Sequence, residues 1–197
     1  MAQAAPRPAT YADLERAPPH LVAEIVDGVL ETHPRPRPRH ALTSLKLGEE
    51  LDFPYGRGRG GPGGWVFMAE PELHLGRDVV VPDLAGWRRE RMPVEPDTAF
   101  IESPPDWVCE ILSPSTRRLD LGPKRRIYAG AGVPFLWFLD PDARALDAFA
   151  LTGGQWLPPG TAIGGEEVSL APFDAIRFPL DDLFPFADPA ASAPPET

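Results

Sequence analysis

The sequence is short of thiols. One cysteine, Cys109, among 197 residues excludes an internal disulfide and any zinc site built from cysteine alone. Long apolar runs are missing too: no stretch reaches the length needed to span a bilayer, so no membrane partner is expected. The first ten residues, MAQAAPRPAT, hold no apolar signal core, and a soluble cytoplasmic protein is expected. Positive charge is scarce, with Lys+Arg 19 against Asp+Glu 29 and a formal net charge of −10. Affinity for phosphate backbones comes from Lys and Arg, so this balance counts against a nucleic-acid partner. Only local clusters, RPRPRH (35–40), GRGRG (56–60), RRER (88–91) and KRR (124–126), could supply a positive patch. The glycine-rich loop lacks the Gly-Lys-Ser/Thr ending of a P-loop, which argues against a nucleotide cradle.

What is present suits a globular chain. Apolar residues make up 43% of the sequence, enough for a sizeable core, while 27 prolines and 18 glycines point to long connections around it. Residues 10–186 read as one domain, between a flexible N-terminus (1–9) and a disordered tail (187–197). Thr10 caps a short helix through YADLERA, and LVAEIVDGVLET is a hairpin about Asp27-Gly28. HPRPRPRH is an extended connector and ALTSLKLGEELDF a helix. WVFMA, ELHL and VVVPDLAGW form a meander of strands, the last ending at Pro82. WVCEILS and FLWFLD are nearly continuous apolar runs, as expected of central strands covered on both faces. Between them lies a helix beginning at Pro123, preceded by a turn through STRRLDLG. RALDAFALTGGQW is a second hairpin, and small edge strands close the chain. The order predicts an α/β (α+β) fold, a central mixed sheet flanked by helices.

Two carboxylates stand out. Glu110 interrupts WVCEILS, where an unpaired charge loses several kcal/mol of solvation, so it must take a proton, a cation or a metal ion. Asp83 follows Pro82 and either caps a strand-ending turn or joins Glu110 in holding one divalent cation. Hard oxygen donors suit Mg²⁺ or Mn²⁺, and a metal-activated water is a standard route to phosphodiester cleavage. A cation belongs two residues after the glutamate, but Leu112 stands there. Lys124 is the replacement candidate: at helical spacing it shares a face with Asp120, Leu121, Ile127, Tyr128 and Ala131. It either reaches Glu110 or snorkels to solvent and pairs with Asp120. Alternation turns Cys109 away from Glu110 into the core. Ser113 and Ser115 have no histidine placed to activate them and read as turn residues.

EIVDG, PRPRHALTS, VVVPDLAGW, CEILSPSTRRLDLGPKRRIYAGAGVPFLWFLDP and LDDLF, in that order and spacing, resemble the Uma-two restriction-endonuclease family of the PD-(D/E)XK nuclease superfamily. The resemblance covers roughly residues 10 to 185. It implies a restriction-endonuclease-like core and a Mg²⁺- or Mn²⁺-dependent endonuclease acting on DNA. It puts Asp83 in the "PD" position and Glu110 in the "(D/E)" position, with the Ile111 carbonyl as a further metal ligand and Lys124 in place of the strand lysine. Glu24 matches an early acidic residue that adds to the metal site; an edge-strand carboxylate facing water is the other reading. His40, Arg117 and Tyr128 are candidate substrate contacts. A homodimer would allow both strands to be cut. The alternative function is a catalytically inactive nuclease-like fold that binds nucleic acid or protein.

Overall fold

The computed structural model describes residues 7–186; the expected tail, and residues 1–6 of the expected flexible N-terminus, lie outside this range. Asp-Gly is a strong two-residue turn, and Asp27 and Gly28 both take positive φ, joining β1 (Leu21–Val26) to β2 (Val29–Pro34). The helix α1 is a single turn, Tyr11–Leu14, shorter than its sequence suggests. The proline-rich connector is also shorter than expected, because α2 (Pro38–Leu51) starts inside it. Pro38 occupies the first turn, where its fixed φ suits a helix and its missing N–H costs nothing. A π-turn, Asp52–Gly56, continues α2 into the glycine-rich loop.

The stretch VVVPDLAGW, expected to end its strand at Pro82, supplies two strands. β3 (Trp65–Ala69) and β4 (Leu73–Leu75) are followed by β5 (Asp78–Val80), a break at Val81–Asp83, and β6 (Leu84–Arg88). Proline cannot donate to a ladder, and here the chain uses Pro82 to pass from one sheet to another. β1, β2, β4 and β5 make a four-stranded antiparallel sheet in the order β2-β1-β5-β4.

The central sheet adds β7 (Trp107–Ile111), β8 (Phe135–Asp140), β9 (Ala145–Thr152) and β10 (Gln155–Ile163), in the order β10-β9-β8-β7-β6-β3. Only β7 and β8 run parallel, so this sheet is mixed as expected. A parallel pair needs a crossover, and that crossover carries a helical stretch. It consists of α3 (Arg117–Leu119), a π-turn (Asp120–Lys124) and α4 (Arg125–Gly130). The helical turns therefore start before Pro123, not at it. Lacking an N–H, Pro123 cannot continue an α ladder, and the wider turn accommodates it.

Alternation along β7 sorts the core. Trp107, Cys109 and Ile111 pack with Leu47 and Leu51 of α2 and with Trp137 and Phe173. Val108 and Leu112 face the other way, with Tyr128, Val133 and Phe138, and join Val26 and Val80 of the smaller sheet in one apolar cluster. Each such buried side chain contributes about 1.5–3 kcal/mol relative to exposure. Glu110 points into this second layer, between the two sheets and the crossover helix.

Candidate active site

The register of the central sheet brings the two carboxylates together. Leu84 pairs with Cys109, so Asp83, one residue earlier, arrives beside Glu110. Asp83 sits where the chain changes sheets. Its Oδ2 accepts the Ile111 amide at 2.6 Å, and its Oδ1 lies 3.2 Å from His40 Nε2. His40 comes from the first turn of α2, and its Nδ1 is buried with no partner among the described residues. Burial opposes a charged ring there, but Asp83 and the Ile111 backbone outweigh it, and the pKa of His40 is raised.

Glu110 is 1% exposed. The Tyr128 hydroxyl donates a short hydrogen bond to its Oε1, and Lys124 Nζ stands 2.8 Å from the same atom. Lys124, 2% exposed, does not snorkel to solvent. Besides Glu110 it reaches Glu24 Oε1 at 3.1 Å and Asp120 Oδ1 at 3.5 Å, and it donates to the Val81 carbonyl at 3.2 Å. Both partners weighed for it from helical spacing are therefore present. Leu121, grouped with this face on the same spacing, is instead exposed.

Glu24 is fully buried, not an edge residue facing water. Its Oε1 accepts the Val81 amide at 2.7 Å, and its Oε2 meets His33 Nε2 at 3.1 Å. Glu24 and Lys124 thus hold the two ends of the Val81 peptide, two residues before Asp83. Three buried carboxylates face one ammonium, so they cannot all carry full charge. Burial raises Glu24, but Lys124, His33 and the Val81 amide overcome it and hold the group at about 2. Burial dominates at Glu110 and pushes its pKa well above the usual carboxylate range, and Asp120 moves the same way. Burial also acts against the charge on Lys124, yet Glu110 and Glu24 more than compensate and its pKa is raised.

Asp83, Glu110, Asp120 and Lys124 line a cleft of about 620 Å³, with Arg35, Arg37 and Arg39 at its exposed rim. The cluster RPRPRH thereby places cations beside the carboxylates of a chain whose net charge is −10. Among the described residues, no group of three or more His, Cys, Asp or Glu side chains is gathered as a ligand cage. The donor set of Asp83 and Glu110 still fits Mg²⁺ or Mn²⁺, which take one or two carboxylates and complete their shells with water and phosphate. Two predicted contacts stand apart from the cleft lining. Arg117 is tied to Asp140 at 2.5 Å, and Tyr128 is buried behind Glu110. His33 was not singled out from the sequence, although the Asp27-Gly28 hairpin carried the signal. Pairing His33 with Val22 makes it the diagonal neighbour of Glu24.

No curated protein matches the sequence significantly. The chain superposes on the crystal structure of "a putative nuclease belonging to DUF820" from Anabaena variabilis with a TM-score of 0.73 and 19% identity, over 90% of this chain and 98% of that one. At that identity the likeness establishes a shared nuclease-like fold, with a central mixed sheet in both the sequence expectation and the structure. The Uma2 family model, described as "Putative restriction endonuclease", matches residues 8–181, and the chain belongs to that family.

Proposed function

We propose that the chain is a metal-dependent endonuclease that hydrolyses phosphodiester bonds of DNA. The observation that carries this reading is the meeting of Asp83 and Glu110 in one cleft, with the Lys124 ammonium 2.8 Å from Glu110. Anionic oxygen donors beside a fixed cation suit a reaction in which charge develops on phosphate oxygens. Asp83 and Glu110 would hold Mg²⁺ or Mn²⁺, with the Ile111 carbonyl as the further donor on the same strand. When bound, such an ion supplies an acidified water and neutralises phosphate charge.

The protein's own groups set the stage. Lys124 keeps a positive charge beside the phosphate and fixes Glu110, helped by the Tyr128 hydroxyl. His40 steadies Asp83 from the opposite side. Glu24 is fully buried and does not line the cleft, so in this reading it acts by holding Lys124 and Val81, not as a metal ligand. Arg35, Arg37 and Arg39 draw the backbone to the cleft. Arg39 is 3.0 Å from Asp142 and Arg35 is 4.0 Å from Glu70, whereas Arg37 has no salt bridge among the described residues.

The test is nicking of supercoiled plasmid by the purified protein with Mg²⁺, Mn²⁺ or EDTA, beside Asp83→Ala. Metal-dependent nicking that disappears in the variant is the expected result; full activity in Asp83→Ala would overturn the assignment. One observation favours the alternative of an inert binding fold: Lys124 is committed to three carboxylates, so it cannot turn to a phosphate without leaving them unpaired. Calorimetric titration with Mn²⁺ separates the two, since an inert module has no Asp83-dependent site. A homodimer in the cytoplasm completes the proposal, and light scattering after size exclusion checks the dimer. Among the described residues no helix is long and apolar enough to cross a membrane.

A further inference from the structure

The cleft does not end at Asp83. A second groove of about 670 Å³ runs along α2 and shares Pro36, His40 and Asp83 with the first, so the two meet over the candidate carboxylate. Its far end reaches Phe53, which also lines a third depression with Arg59 and Arg177. An elongated substrate with its reacting group at Asp83 would therefore extend into this groove.

The middle of the groove differs from the arginine-rimmed cleft. Leu45 and Phe53 are 57% and 53% exposed, and both line this groove. The carboxylates nearby are already matched: Glu49 with Lys46 at 2.8 Å, Asp52 with Arg57 at 2.6 Å, and Glu70 with Arg35 at 4.0 Å. This stretch is locally neutral and apolar, which suits nucleobases better than phosphates. Beyond it Arg59 and Arg177 stand beside Glu50, with the Arg59 guanidinium 5.9 Å from the centre of the Phe53 ring. Arginines at either end and an open aromatic ring between them match a strand whose backbone is held at both ends and whose bases lie on the protein in between.

We propose that the groove along α2 binds an unpaired stretch of nucleic acid, with a base stacked on Phe53, so that the substrate of this site is single-stranded at the point of attack. The inference rests on the nuclease reading of the Asp83 cleft. A base paired within a duplex has its faces covered by its neighbours and cannot use Phe53; only an unstacked base can.

The test is fluorescence anisotropy in EDTA with labelled dT12, alone and annealed to dA12, on the full chain. Wild type is expected to bind the single strand about tenfold more tightly than the duplex, and Phe53→Ala to lose about tenfold on the single strand. Phe53→Trp keeps an aromatic face and should retain binding, and Leu157→Ala, on the remote strand β10, should behave as wild type. Equal or tighter duplex binding, an unchanged Phe53→Ala, or no binding of either probe would each overturn the proposal. Plasmid nicking with Asp83→Ala is read separately. Nicking lost in Asp83→Ala beside an inert Phe53 sinks this inference alone, whereas metal-independent cleavage, or no cleavage of either plasmid or a circular single strand, sinks the nuclease reading.

Discussion

Replacing Lys124 with methionine keeps the length of the side chain and removes its charge. The ammonium lies within 3.5 Å of Glu110, Glu24 and Asp120, all nearly inaccessible to water. Removing one partner of a buried ion pair costs about 3–5 kcal/mol, because the remaining charge is stranded. A domain is stable by only about 5–15 kcal/mol, so the variant should fold but melt early. For a chain of this size each kcal/mol lowers Tm by about 2–4 °C, which predicts a drop of about 6–20 °C. The sign of the pH dependence follows from the same carboxylates. The folded pKa values of Glu110 and Asp120 already lie above the ordinary ones and are held down by Lys124, so without it they rise further, and their contribution is intact below about pH 4 and lost as pH rises. The deficit of Lys124→Met should therefore be largest at neutral pH and shrink in acid. Urea unfolding followed by the fluorescence of the buried Trp65, Trp87, Trp107 and Trp137 gives both stability and pH trend. A variant within about 1 kcal/mol of wild type at neutral pH, or a deficit that grows in acid, would refute the reasoning.

Glu24 gives the opposite sign in the wild-type protein: held at about 2 against an ordinary 4.5, it stabilises above 4.5, and that share is lost as pH falls toward 2. Wild type should therefore lose about 2–3 kcal/mol more than Glu24→Gln over this window in acid urea titrations, and parallel losses would contradict the assignment. Gly86→Ala should cost about 1–3 kcal/mol, because the new methyl group would lie 2.9 Å from Phe67 and 3.2 Å from Trp65, which stack on each other; a stabilised variant would mean that this layer has room. Arg117→Ala should lower stability by less than about 1 kcal/mol and leave the KM for plasmid nicking unchanged, since the half-exposed side chain pairs with Asp140 outside the cleft. A raised KM would return Arg117 to the substrate.

Much of the site is local, and so could be read from the sequence. Glu110 is conspicuous because its neighbours Val108, Cys109, Ile111 and Leu112 are apolar, and an unpaired charge among them is costly. Helical spacing puts Lys124 on one face with Asp120 and Tyr128, while leaving both Glu110 and solvent open to its ammonium. The hairpins follow from Asp27-Gly28 and Gly153-Gly154, where two residues set the turn. What the sequence did not reveal depends on distant pairing. Nothing near Val79–Val81 says that β5 joins β1 while β6 joins β3 and β7, so the sequence shows a strand ending at Pro82 but not the change of sheet that follows it. Nothing in Glu24 alone says that a helix about a hundred residues later covers it, so solvent exposure was an equal alternative. Arg117 failed to reach the cleft for a similar reason: its partner, Asp140, ends a strand on the far side of the crossover.

The crossover helix also accounts for a lysine that arrives from outside the strand. Position 112, two residues after Glu110, belongs to Leu112, which is packed in the apolar layer between the sheets. The cation must then come from the covering helix, and it has to share one line with Asp120 and Tyr128. Four residues of α-helix overshoot a full turn, so three residues at successive spacings of four drift around the axis. Between Asp120 and Lys124 the helix is a π-turn, whose wider winding takes back that drift before the α spacing from Lys124 to Tyr128 adds it again. Pro123 is what forbids an ordinary α ladder at that point. A proline that looks like the start of a helix therefore acts inside one, aligning carboxylate, ammonium and phenol on a single face against Glu110.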